Sequence, residues 1–87
     1  MSTSVKNTLK QRGKRYGDFT GQAQIAQNIK AALKESPNWE TLPAYMKESL
    51  EMQANKMGRI LNGDPTYADN WHDISGYATL VEEQLEG

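Results

Sequence analysis

Apolar residues recur along this chain at helical spacing rather than at strand spacing. Between residues 20 and 35, Ala23, Ile25, Ala26, Ile29, Ala32 and Leu33 fall on one stripe, the mark of an amphipathic helix. Thr20 is its predicted N-cap. Ser36, pushed from helical dihedrals by Pro37, is its predicted end. A second stripe runs Met46, Leu50, Ala54, Met57 and Leu61, with Ile60 beside it. It predicts a helix from near Thr41 to about Leu61, with Pro43 in the first turn, where a missing N–H costs little. Gly63 suits a left-handed cap, and Pro65 bars continuation. A third stripe, Trp71, Ile74, Ala78, Val81 and Leu85, predicts a helix that starts between Thr66 and Asp69 and ends near Leu85. Gly76 lies inside it. A mid-helix glycine costs about 1 kcal/mol relative to alanine, so a close helix–helix approach is expected there. Residues 3–12 predict a shorter helix with Val5 and Leu9 on one side, and "RYGDFTG" reads as a turn.

No stretch alternates as a strand does, and β-branched residues are sparse. The expected fold is all-α: one domain, residues 1–87, with three main helices plus a short N-terminal helix. A chain of 87 residues buries a modest core, and without cysteine it has no disulfide to reinforce it. Completion by oligomerisation is therefore expected, a homo-oligomer being the simplest form. No apolar run approaches the roughly 20 residues of a membrane span. The opening "MSTSVKNTLKQRGKRYGD" lacks the apolar core of a signal peptide. The expectation is a cytoplasmic protein with no membrane partner.

Net charge is −1, but its distribution is uneven. Residues 1–36 hold seven basic side chains against two acidic ones; residues 37–87 hold three against nine. Such asymmetry suits a phosphate-facing region beside a metal-facing one, or simply two solvated faces that attract each other. Lys6, Lys10 and Lys14 share a helical face, with Tyr16 and Phe19 close behind. The slightly acidic total and the lack of a recognition motif argue against nucleic acid as the partner.

The carboxylates carry the candidate chemistry. Glu48 and Glu51 stand three apart on the second long helix; Asp69 and Asp73 stand four apart on the last. A short connection at Gly63 and Pro65 predicts that these helices pack antiparallel. Arg59 and Lys56 then fall nearest Asp69, with Glu51 closer to the level of Asp73 or Tyr77. Acids on facing helices can hold Mg2+, a hard cation that takes oxygen ligands, while Lys56 and Arg59 bind phosphate oxygens. The plainer alternatives are a solvated Glu pair, Asp69 as a cap, and Asp73 in a salt bridge with Lys56 or Arg59. Trp71 is expected in the core and Tyr77 in packing; His72 has no partner signature and is assigned no chemistry.

The segment "EMQANKMGRILNGDPTYADNWHDISGYATL", residues 51–80, together with "RGKRYGDF" and "AQIAQNIK" upstream, resembles a family of small phage and prophage proteins. That family is similar, more distantly, to the MazG-like all-α nucleoside triphosphate pyrophosphohydrolases. The resemblance implies an oligomeric bundle in an infected bacterial host. It also implies cleavage of a (deoxy)nucleotide to monophosphate and pyrophosphate, with magnesium held by Glu48, Glu51, Asp69 and Asp73. Glu48 and Glu51 match the first acidic pair, and a glutamate there would orient water. Lys56, Arg59, Lys14 and Arg15 would contact phosphates. The second pair departs from the usual Glu-x-x-Asp, being Asp69-x-x-x-Asp73. The alternative is a non-catalytic phage accessory protein that binds a host or phage protein.

Overall fold

The computed structural model describes residues 2–87, and side-chain surroundings from residue 5 onward. The described residues form four α-helices and no strand: α1 (Ser2–Tyr16), α2 (Phe19–Glu35), α3 (Ala44–Asn62) and α4 (Ala68–Glu86), with a 3-10 turn at Trp39–Thr41. The all-α expectation stands, but α1 is longer than residues 3–12 and runs through Gly13. The turn expected over "RYGDFTG" shrinks to Gly17 and Asp18. Gly17 has a φ of 76°, a left-handed conformation that only glycine adopts without strain.

Asp18, not Thr20, caps α2. Its carboxylate accepts a hydrogen bond from the Gly21 N–H at 2.9 Å, satisfying one of the first-turn donors. Ser36 ends α2 in extended geometry, as its proline neighbour requires. The 3-10 turn buries Trp39, a residue assigned to no element by periodicity. Pro43 precedes α3 in extended geometry rather than sitting inside it. Gly63 has φ −124° and ψ −136°, so it is not a left-handed cap.

α3 is the middle of a single layer. α2 and α4 each pack along it, and neither packs along the other. Gly58 marks the α2 side: a Cβ there would lie 2.8 Å from the Gln22 carbonyl oxygen. Ser49 and Lys56 mark the α4 side through the Tyr77 carbonyl and Asp73. Gly58 is therefore the glycine of close approach. At Gly76 an added Cβ would meet nothing within 4 Å, which corrects the expectation placed there.

A three-helix layer has two broad faces and little interior. The buried apolar side chains among the described residues are Ala26, Trp39, Ala54 and Ile60. Most of the predicted stripe positions on α3 and α4 line one open face instead, where Met46, Leu50, Ala78 and Val81 border one hollow and Met57, Leu61, Trp71 and Ile74 another. Trp71, expected in the core, is exposed, its indole N–H bonded to the Pro65 carbonyl at 2.8 Å. The radius of gyration is 15.0 Å, against about 12 Å for a globular chain of this length. No helix is long and apolar enough to cross a membrane.

Candidate functional site

The α1–α2 corner is fastened to the C-terminal end of α3 by backbone contacts. The Asn62 side-chain amide donates to the Tyr16 carbonyl at 2.9 Å and to the Asp18 carbonyl at 2.8 Å. The Asp64 N–H donates to the Arg15 carbonyl at 2.7 Å. The approach is so close that a Cβ on Gly63 would overlap the Arg15 carbonyl and Tyr16 backbone; one on Gly17 would overlap the Asn62 carbonyl. Glycine at 17 and 63 is thus what lets the two chain segments cross.

The crossing gathers three arginines around two tyrosine rings. Arg12 and Arg59 both lie over Tyr16, their guanidinium carbons 5.2 Å and 4.6 Å from the ring centroid. Arg15 lies over Tyr67 at 4.8 Å. The two rings meet edge-on, 6.2 Å between centroids. Arginine over an aromatic face gains about 0.5–1 kcal/mol at an exposed site, which does not offset three unneutralised positive charges. Among the described residues the one ion pair is Lys56–Asp73, so no carboxylate neutralises Arg12, Arg15 or Arg59. Arg12 and Arg59 share one ring and so lie within about a Debye length, where screening is incomplete. The Arg59 Nε is buried and has no hydrogen-bond partner. A multivalent anion would relieve both the repulsion and the unmet donor.

Nearby polar groups are committed. Tyr67 donates its hydroxyl proton to the Asp69 carboxylate at 2.8 Å. That bond raises the Tyr67 phenol above its usual range; desolvation adds to the rise, and the Arg15 charge opposes it. Asp69 therefore sits in the first turn of α4 without capping it by a side-chain bond. Asp64 closes the α3–α4 turn by accepting from the Thr66 hydroxyl at 2.6 Å and the Thr66 N–H at 2.9 Å. These two bonds, the hydroxyl first, hold its carboxyl below the usual range.

The four expected metal ligands do not gather. Asp73 pairs with Lys56 at 3.0 Å, and the lysine side chain is only 11% exposed. Glu48 borders a hollow with Ser49, Tyr77 and Leu80. That level is set by the Ser49–Tyr77 bond of 2.8 Å, seven residues of α3 from Lys56, or about 10 Å along the helix. Asp69 is held by Tyr67. Glu51 falls nearer the α2 side of α3, since residues three apart on a helix are rotated about one sixth of a turn. Among the described residues no group of three or more His, Asp or Glu side chains could hold a metal ion. Within one chain this donor set does not fit magnesium.

Of the four expected phosphate contacts, Arg15 and Arg59 reach the corner. Lys56 is committed to Asp73. Lys14 is exposed and, two residues from Arg12, points to another side of α1. The residues that sequence reading passed over are Arg12, Tyr16 and Tyr67. Arg12 and Tyr16 stand four apart, a spacing that pairs side chains on a helix; ending α1 at residue 12 concealed it. Asn70 is also unforeseen. It is 1% exposed, and its side-chain N–H group has no hydrogen-bond partner.

Comparison with protein families, with characterised proteins and with solved structures returns no match for this chain.

Proposed function

We propose that the protein binds a (deoxy)nucleoside polyphosphate at the corner where α1 crosses the end of α3. One observation carries the reading: three guanidiniums converge on two tyrosines packed edge-on, none of them in an ion pair with a carboxylate, and the Arg59 Nε has no partner. Arginine matches phosphate oxygens through paired N–H donors, and a tyrosine edge beside them offers a nucleobase an edge-to-face contact. The proposal agrees with the MazG-like resemblance in ligand class. Magnesium-dependent cleavage to the monophosphate and pyrophosphate is what that resemblance adds. Thermal shift and calorimetry with nucleoside triphosphates, nucleosides and pyrophosphate test binding. Triphosphates are expected to raise Tm, and Arg59→Gln to weaken binding at least tenfold. No shift with any nucleotide, with or without magnesium, would reject the site. A pyrophosphate-release assay with and without magnesium tests cleavage separately, and unchanged release by Glu51→Gln would reject the acids that the resemblance implies.

The separation of the four acids favours a second reading, a non-catalytic accessory protein that binds a host or phage protein. It predicts no nucleotide response and stoichiometric capture of one protein partner.

A further inference from the structure

We propose that the hollow between α1 and α2 seats the nucleobase of the polyphosphate ligand, and that Gln22 reads the edge of that base. The inference rests on the nucleotide-binding reading of the corner and adds to it the place of the ligand's uncharged half. The hollow measures about 440 Å³, within the range of small-molecule sites. Leu9, Arg12, Tyr16, Asp18, Phe19 and Gln22 border it. Arg12 and Tyr16 belong to the guanidinium cluster as well, where Arg12 and Arg59 share the Tyr16 ring. The hollow and the phosphate corner therefore have two residues in common. Charge assigns the two ends of the ligand. The charged lining of the hollow is one cation and one anion, Arg12 and Asp18. The Asp18 carboxylate repels a phosphate, so the hollow suits an uncharged group and leaves the phosphates to Arg15 and Arg59. Tyr16 and the 74% exposed Phe19 supply aromatic surface for a planar ring.

Gln22 makes the hollow selective for a base over a plain aromatic ring. It is only 8% exposed. Its backbone is pinned where α2 meets α3, its carbonyl oxygen being the atom that a Cβ on Gly58 would strike. A side chain on so fixed a segment is well placed to hold a ligand group in register. Among the described residues its amide enters no hydrogen bond, so the hollow is where it meets water. A ring that displaces that water must return its bonds. The amide presents a donor beside an acceptor. So does the Watson–Crick edge of a nucleobase, the edge that protein pockets read on an unpaired base. A hydrocarbon ring would leave Gln22 without a partner, and a buried amide without one is costly.

Calorimetry on the full chain tests this by comparing the four ribonucleoside triphosphates with inorganic tripolyphosphate, which carries the phosphates without a base. At least one nucleotide is expected to bind tenfold or more tighter than tripolyphosphate. Gln22→Met, close in volume and compatible with a helix, should bring that nucleotide down to the level of tripolyphosphate and leave tripolyphosphate itself unchanged. Phe19→Ala, at an exposed position where the fold is not at stake, should weaken the nucleotide severalfold with the same indifference to tripolyphosphate. Arg59→Gln should weaken both probes, which separates the phosphate end from the base end. Tripolyphosphate that binds as tightly as every nucleotide overturns the base pocket and leaves the phosphate corner standing. So does a folded Gln22→Met that keeps the full preference. Binding of neither probe rejects the corner and the pocket together.

Discussion

The corner of α1 with α3 and the broad face of α3 with α4 both lie on the same central helix, yet they are built from different interactions. At the corner, Asn62 and Asp64 bond the backbone of Tyr16, Asp18 and Arg15, and two glycines allow the segments to touch. Geometry there is set by hydrogen bonds of fixed direction. On the face, Met57, Leu61 and Trp71 border one hollow between α3 and α4 and stay exposed, and mainly non-directional burial is on offer. The corner is thus complete in one chain but charged, suited to a small anion. The face is neutral but uncovered, suited to a large surface. Directional contacts fix a site, while an apolar stripe fixes only that something must cover it.

The largest expected effect breaks the corner. Gly63→Ala forces a Cβ into the Arg15 carbonyl and Tyr16 backbone, and backbone cannot step aside as a side chain tip can. A loss of about 3 kcal/mol, at the upper end for overpacking, should appear in chemical denaturation, with loss of nucleotide binding. If nucleotide binding survives in the folded variant, the corner is not the binding site. Next comes the seam between them. Asp73→Asn leaves the Lys56 ammonium nearly buried without its counter-charge. Asp73 is 41% exposed, so the cost should be about 1–2 kcal/mol, below that of a fully buried pair. Lys56→Met leaves the more exposed partner able to reach water and should cost less than Asp73→Asn in the same denaturation experiment. Equal costs would mean that the lysine is solvated.

Gly76→Ala is the converse of Gly63→Ala. With nothing within 4 Å of the new Cβ, it should stabilise by about 0.5–1 kcal/mol through helix propensity. A destabilisation would show that this side of α4 is covered. The smallest effect concerns the turn. Thr66→Ala removes the hydroxyl bond, the larger of the two that lower the Asp64 carboxyl, and keeps the backbone N–H bond, so its titration, followed by NMR, should move part of the way up toward the ordinary carboxylate value. Because the folded carboxyl is held low, its stabilisation is present above the unfolded pKa and is lost as pH falls through the folded one. The variant should show a weaker acid-limb dependence, since the backbone bond remains.

Periodicity alone determined the helices. Stripes of three- and four-residue steps specify α2, α3 and α4 because burial rewards one face of a helix at that spacing, and Pro37, Pro43 and Pro65 bound them by steric exclusion. The lysine and arginine content of the first third and the acids of α3 and α4 were equally legible. What periodicity cannot state is what covers a stripe. Trp71 and Leu61 follow the same pattern as a core residue, yet the layer leaves them open, because α2 and α4 occupy opposite sides of α3. Tertiary structure also decided which charges meet. Asp73 found Lys56, Asp69 found the Tyr67 hydroxyl, and Arg12, Arg15 and Arg59 came together without an ion-pair partner. Those outcomes depend on where α1 crosses α3 and on the level at which α4 pairs with it. Such long-range relations are set by backbone contact at Gly17, Gly58 and Gly63, and no local spacing encodes them.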